Sequence, residues 1–202
     1  MGKILFGFPV HNHKKTSLVL ALIALTLAAT IVNASLAANS ENTQPAKIEV
    51  AEFTNLGALG KPKALDKWIH MGSNIGHGYN GESFAADDPG TFRVVAMEPS
   101  SYDYFIENGE YANGTMFSLS VFDVLSKVEP DLNGFSQGKL RGFEIHLIDS
   151  ERNKDGREFF MFAADDLIAA PLADQSACVN CHLHEAQFES TFVQFYPKLK
   201  RN

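Results

Sequence analysis

Cysteine is nearly absent from these 202 residues: there are two, Cys178 and Cys181. That excludes a fold stapled by several disulfides. Basic charge is scarce as well. Seventeen Lys and Arg stand against 24 Asp and Glu, for a formal net charge of −7. Binding nucleic acid takes clustered Lys and Arg to displace counterions from phosphates, so nucleic acid is not an expected partner. The longest apolar run, Leu18 to Val32, has 15 residues, short of the ~20 that a membrane-spanning helix needs. No internal repeat is visible. No methionine occurs after Met161.

The two cysteines stand together in Cys178-Val179-Asn180-Cys181-His182. This is C-x-x-C-H, the attachment pattern of a c-type haem. On a helix, positions i, i+3 and i+4 share one face. Both thiols can then add across the two vinyl groups of one haem, while the adjacent imidazole reaches its iron as the proximal ligand. Three other readings compete. A redox dithiol usually follows a strand near the start of a domain, whereas this motif lies near the end. A structural disulfide leaves His182 unexplained. A zinc site from Cys178, Cys181, His182 and His184 has four donors, but the adjacent Cys181 and His182 pair poorly in a tetrahedron.

The N-terminus supports the haem reading. Lys14 and Lys15 precede the apolar run, and Ser35-Leu36-Ala37 follows it with small residues, the pattern of a signal peptide cleaved after Ala37. The expected organisation is a signal peptide at 1–37, a flexible polar lead-in at 38–48 and a haem domain at 49–202. The expected location is periplasmic, with no membrane span after cleavage. Residues 1–37 contain three Lys, no Arg and no acid, so their removal changes the net charge from −7 to −10 and leaves 202 − 37 = 165 residues. That length suits one domain with a full core. Its acidity suits a neutral or basic redox partner protein.

Along that domain, the spacing of Leu65, Trp68 and Ile69 predicts a short helix over 62–71. Residues 72–90 are rich in Gly, Asn and Asp and predict a loop. A strand is predicted at 91–97 and a helix at 100–108, with Ser100 or Ser101 as its cap and Gly109 behind it. Asn113-Gly114 marks a turn. Residues 115–128 alternate as a long strand, Thr115, Phe117, Leu119 and Val121 on one face and Met116, Ser118, Ser120 and Phe122 on the other. Pro130, Asn133, Gly134 and Gly138 predict a loop over 129–139. Residues 142–149 and 158–162, joined through Lys154-Asp155-Gly156, predict a β-hairpin. Phe188, Phe192 and Phe195 predict a helix over 184–196, stopped by Pro197. The expected class is α+β: a mostly antiparallel β-sheet with flanking helices and a C-terminal haem-attachment helix. Small all-helical electron carriers place the motif early and a methionine ligand far downstream; neither feature is present.

In this order the chain resembles the cytochrome P-460 family, from about residue 50 to 200. The resemblance is carried by Ala51-Glu52-Phe53, Trp68 with Met71-Gly72, Glu98-Pro99 with Tyr102, and Gly109-Glu110-Tyr111 with Asn113-Gly114-Thr115. The haem motif and Phe192-Val193-Gln194-Phe195-Tyr196-Pro197 complete it. It implies an antiparallel β fold, usually a homodimer, with a five-coordinate iron and an open distal face. Members with a lysine cross-linked to the porphyrin oxidise hydroxylamine. Related members without it, the cytochromes c′-beta, have an apolar distal face and bind nitric oxide or carbon monoxide. The cross-linking lysine aligns with Leu119, five residues after Gly114, and leucine has no amine. Lys127 lies eight residues further on.

The expected function is therefore an exported mono-haem c-type protein whose open iron binds nitric oxide or a similar small ligand. An oxidoreductase acting on hydroxylamine or nitric oxide and a periplasmic electron-transfer cytochrome are the alternatives. Phe117 and Leu119 are expected to line the distal haem face, with Phe92, Phe159 and Phe162 as further aromatic candidates. His70, His77, His146, Met71, Met97, Met116 and Met161 remain as candidate sixth ligands, with His146 also a candidate distal base. His184 is a candidate propionate partner, and Glu144 and Glu185 are candidate supporting acids.

Overall fold

The computed structural model describes residues 46–76 and 89–200. The expected signal peptide at 1–37, most of the lead-in and His77 lie outside the described residues. Among the described residues, no helix is long and apolar enough to cross a membrane.

Five strands form one antiparallel sheet in simple sequence order: β2 (Ile69–Ile75), β3 (Thr91–Met97), β4 (Thr115–Val128), β5 (Asp131–Ile148) and β6 (Arg157–Ala163). The short strands β1 (Leu59–Gly60) and β7 (Ile168–Ala169) pair separately. Helix α1 (Pro99–Asn108) links β3 to β4, and α2 (Ser176–His184) carries the cysteines. The expected α+β class, with a mostly antiparallel sheet and helices beside it, is what the chain adopts.

Both sheet faces are covered, which is why β4 and β5 read as apolar on both alternating sets. In register, Ala96, Ser118, Ile145 and Phe160 share one face. There Met116, Phe143, Leu147 and Phe162 join Leu59 and Trp68 in the first core. On the other face, Met97, Phe117, His146 and Phe159 form one cross-strand row, and Val95, Leu119, Glu144 and Met161 form the next. Phe105 of α1 and Val193 and Leu199 of the C-terminal segment cover that face and build the second core. The expected Phe117, Leu119 and Phe159 stand on this second face.

Four expected elements differ. Residues 62–71 hold only a 3₁₀ turn, Leu65–Lys67, followed by β2. Leu65 and Trp68 pack on the first core and Ile69 on the second, so an apolar spacing that imitates one helical face serves two layers. The expected loop at 72–90 begins inside β2, which runs to Ile75. The expected loop at 129–139 shrinks to a turn at Glu129-Pro130, and β5 starts at Asp131. Gly138 is accommodated within β5: a Cβ there would meet Asp123 O at 3.0 Å, close to a shift in the β4–β5 register. The fourth, the helix expected at 184–196, is replaced by a turn and two short 3₁₀ segments, Val193–Phe195 and Pro197–Leu199.

The cap of α1 is not a serine. Glu98 caps it, accepting from Ser101 N–H at 2.7 Å while the hydroxyls of Ser100 and Ser101 also donate to its carboxylate. Gly109 ends the helix with φ +80°, a left-handed stop that glycine adopts without steric cost. Gly114 allows a close approach of two backbone segments. Its φ is +87°, and a Cβ there would overlap Ile48 O. Residues 46–48 are thereby held against Asn113, through Ile48 N–H to Asn113 O at 2.7 Å and Asn113 N–H to Ala46 O at 2.9 Å.

Candidate functional site

Helix α2 ends at His184, with Glu185 N–H bonded back to Cys181 O at 2.9 Å. One helical turn therefore carries Cys178, Cys181 and His182. Both thiols are free and partly exposed. Gln175 ties the start of α2 to the sheet by accepting from Phe159 N–H at 2.8 Å.

His182 leans over the second sheet face. Its ring lies 4.7 Å from His146, 5.0 Å from Phe159 and 4.7 Å from Phe192. Below it, His146 stacks on Phe159 at 4.6 Å and stands beside Phe117 at 6.2 Å. His182 Nδ1 is 2.7 Å from Ser190 O. A carbonyl only accepts, so Nδ1 carries the proton and Nε2 is left with its lone pair. Burial lowers the His182 pKa; the Ser190 bond opposes this and Arg157 reinforces it. A neutral imidazole with a bare Nε2 is the form that ligates a metal.

Ser190 O is presented by a turn. Thr191 N–H bonds to Phe188 O at 2.6 Å, and the two central residues, Glu189 and Ser190, have φ of +39° and +61°. A type I′ turn requires such a positive-φ pair and normally takes it from Gly or Asn. Each left-handed non-glycine residue costs roughly 1–2 kcal/mol.

A cavity of about 270 Å³ opens beside His182. Val95, Phe117, Leu119 and Phe159 line it from the sheet, and Phe192, Phe195 and Tyr196 from the C-terminal segment. Cys181 lies on its wall, and Cys178 senses the charge of Glu144, which also lines it. The expected Phe117 and Leu119 are thus brought to the motif, and so is Phe159. Phe162 packs in the first core instead. Phe92 alternates with the cavity-lining Arg93 and pairs with Phe122, so it faces away. No lysine lines the cavity among the described residues; Lys127 is exposed near the hairpin tip.

Of the candidate sixth ligands among the described residues, His146 alone lines the cavity. It is buried, and its Nε2 has no hydrogen-bond partner. Burial holds its pKa well below the ordinary histidine value, and His182 and Arg157 push the same way. His70 is exposed and bonded to Ser73 at 2.9 Å. Met71 and Met97 are packed in the second core, Met116 in the first, and Met161 is 56% exposed. His184 and Glu185 are exposed beyond the cavity lining.

Sequence reasoning missed Arg93, Asn74, Thr191 and Tyr196 as cavity residues. Arg93 alternates with Val95 one face-repeat from Leu119, a signal available from strand β3. Asn74 required β2 to be read as a strand. Burial raises the pKa of Glu144, and Arg93 partly offsets this.

No curated protein matches the chain. The family model of Cytochrome P460 matches residues 62–193, a span that includes β2 to β6, both helices and the His182 cage. The match covers 132 of 202 residues, so the chain belongs to the cytochrome P460 family and is a haem protein.

Proposed function

We propose that this chain is an exported c-type mono-haem protein that binds nitric oxide or a similar small neutral ligand at an open iron site. Cys178 and Cys181 hold the haem covalently, and His182 is its proximal ligand. The observation that carries this reading is the cage around His182: its Nδ1 is committed to Ser190 O, and its Nε2 is free beside an apolar cavity. The donor set fits the group. Two free thiols at i and i+3 and one neutral imidazole at i+4 stand on one helical turn, beside a cavity wall that is mainly aromatic and aliphatic and also holds Glu144 and His146.

Haem in this site supplies an iron centre able to take one exogenous ligand. The residues determine which ligand. Phe117, Leu119 and Val95 present no donor on their part of the lining, which supports neutral diatomics over charged species, while Asn74, Arg93 and His146 are polar groups that share the cavity. Leucine at 119 offers no amine for a porphyrin cross-link, so the cytochrome c′-beta type is favoured over hydroxylamine oxidation. The apolar run at 18–32 with its flanking lysines and small residues supports export to the periplasm. A homodimer and a redox partner of neutral or basic surface belong to the same proposal.

The test is the haem-loaded protein on a denaturing gel and in visible absorption. Wild type is expected to keep its haem through denaturation, and the Cys178→Ala/Cys181→Ala protein to lose it. Retention by the double variant overturns the attachment. A high-spin spectrum that changes on adding nitric oxide is the expected signature. A strongly red-shifted ferrous Soret band would return the cross-linked hydroxylamine oxidase reading. A low-spin spectrum indifferent to the gas would indicate electron transfer through a sixth protein ligand.

A further inference from the structure

We infer that Tyr111, together with Glu189, is a positioning residue for the iron ligand: it holds the strained Phe188–Thr191 turn whose Ser190 carbonyl sets the orientation and basicity of His182. The inference rests on His182 being the proximal ligand as proposed above.

Tyr111 lies 71 residues before His182 in the chain and holds the turn in three ways. Its backbone N–H donates to Glu189 Oε2 at 3.1 Å. Its hydroxyl is 3.0 Å from Thr191 Oγ1. Thr191 Oγ1 spends its own proton on Phe188 O at 2.8 Å, so Tyr111 is the donor of that pair. Its ring meets Phe188 edge-on at 5.5 Å. Tyr111 is itself fixed by the second core, stacked on Phe105 at 5.0 Å and edge-on to Phe117 at 5.4 Å. One side chain therefore connects the sheet face of the cavity to the turn above it.

Two consecutive left-handed residues, neither of them glycine, would relax if nothing held them. Strained backbone of this kind persists where its surroundings over-determine it, and it concentrates at functional sites. Here the strain has an identifiable product: Ser190 O is held 2.7 Å from His182 Nδ1. A donor–acceptor bond at that nitrogen increases electron donation from Nε2 to a bound metal and fixes the ring rotation. A stronger donor favours the ferric over the ferrous state. Relaxing the turn lengthens the bond and weakens the donor.

The experiment compares haem-loaded wild type with Tyr111→Phe, Glu189→Ala, the double variant and Glu189→Gln. Tyr111→Phe keeps the ring packing and removes only the hydroxyl pin. Three quantities are measured: the ferrous iron–histidine stretching frequency by resonance Raman, the midpoint potential, and thermal unfolding. The expected result is a lower frequency and a higher potential in Tyr111→Phe and Glu189→Ala. The double variant should reach about a tenfold change in the ferric-to-ferrous preference, ~59 mV for one electron. Glu189→Gln retains an acceptor for Tyr111 N–H and is expected to restore the wild-type frequency. Folded variants with a lowered unfolding temperature but unchanged frequency and potential would show Tyr111 to be merely structural and overturn the inference. Wild type without covalent haem or without an iron–histidine band would overturn the haem reading itself, and this inference with it.

Discussion

The imidazole of His146 stands 4.7 Å from that of His182 at an interplanar angle of 68°, while it lies nearly parallel to Phe159 at 4.6 Å. Two neutral imidazoles are thus buried against one another. Both have pKa values lowered chiefly by burial, from an ordinary value of 6.5. The unfolded chain binds protons near that value and the folded chain does not. The stability contributed is therefore full above pH 6.5 and is lost as the pH falls through it. For the haem-free chain His146 adds a slope approaching ~1.36 kcal/mol per pH unit, one proton's worth, and His182 adds to it in the same direction. Urea unfolding at pH 8, 7, 6 and 5 measures it. His146→Phe should remove the larger part of the histidine slope, and an unchanged slope would show that His146 protonates without cost. At pH 8 the same variant should be as stable as wild type or more so. It removes a buried Nε2 that lacks a partner and continues the row from Phe117 to Phe159.

Glu144 carries the opposite sign. Burial raises its pKa from 4.5, against a smaller lowering by Arg93. The folded chain holds this proton more tightly than the unfolded chain. Its contribution is favourable below pH 4.5 and is lost as the pH rises through the raised value. Glu144→Gln should therefore stabilise the protein at pH 7, by on the order of 1 kcal/mol, and the gain should shrink towards pH 4. Thermal unfolding at the two pH values checks this. Equal effects at both would mean that the carboxylate is not desolvated in the fold.

How much was legible can be argued from β4. The alternation from Thr115 to Val121 announced a two-faced strand and placed Phe117 with Leu119, and the structure puts both on the cavity. The hairpin of β5 and β6 was equally clear, because Lys154-Asp155-Gly156 separates two alternating runs. The C-terminal segment was misread for a physical reason. Phe188, Phe192 and Phe195 have helical spacing, yet Phe188 packs on Tyr111 and Phe192 on His182. A reversal at Glu189-Ser190 allows those two destinations, and no Gly or Asn announces it. Trp68 and Ile69 misled in the same way, since they pack into opposite cores. His146 and Phe159 of the cage around His182 were among the candidates, but its hydrogen-bond support could not be read, because Ser190 contributes a backbone carbonyl and Tyr111 lies far away in sequence.

Gly114 gives a prediction about the frame of the site. Its φ of +87° and the overlap of a Cβ with Ile48 O leave no room for a side chain. The obstacle is backbone, held by two hydrogen bonds between residues 46–48 and Asn113, so it cannot swing aside. Gly114→Ala should cost about 3 kcal/mol. Gly57→Ala is the control: it shares a positive φ of +82° but has nothing within 4 Å of its Cβ. Its cost should be about 1 kcal/mol, the conformational part alone. Equal losses in urea unfolding would mean that the contact with Ile48 does not determine the choice of glycine at 114.

The last prediction concerns Leu119, the position expected from the resemblance to align with the cross-linking lysine. Leu119 is registered directly opposite Glu144 on one side and Val95 on the other. Directly opposed side chains on one face of an antiparallel pair have Cβ atoms roughly 5 Å apart. Leu119→Lys would therefore set an ammonium beside a half-buried carboxylate whose pKa burial has raised. The lost leucine contacts and the desolvated charge should destabilise the fold, and the Glu144 carboxylate should return part of that loss. In the Glu144→Gln background the same substitution should cost more, with a coupling of about 1 kcal/mol in the double-mutant cycle. The coupling should fall as the pH drops and Glu144 takes up its proton. Zero coupling at pH 7 would place position 119 away from Glu144 and overturn the register that pairs them.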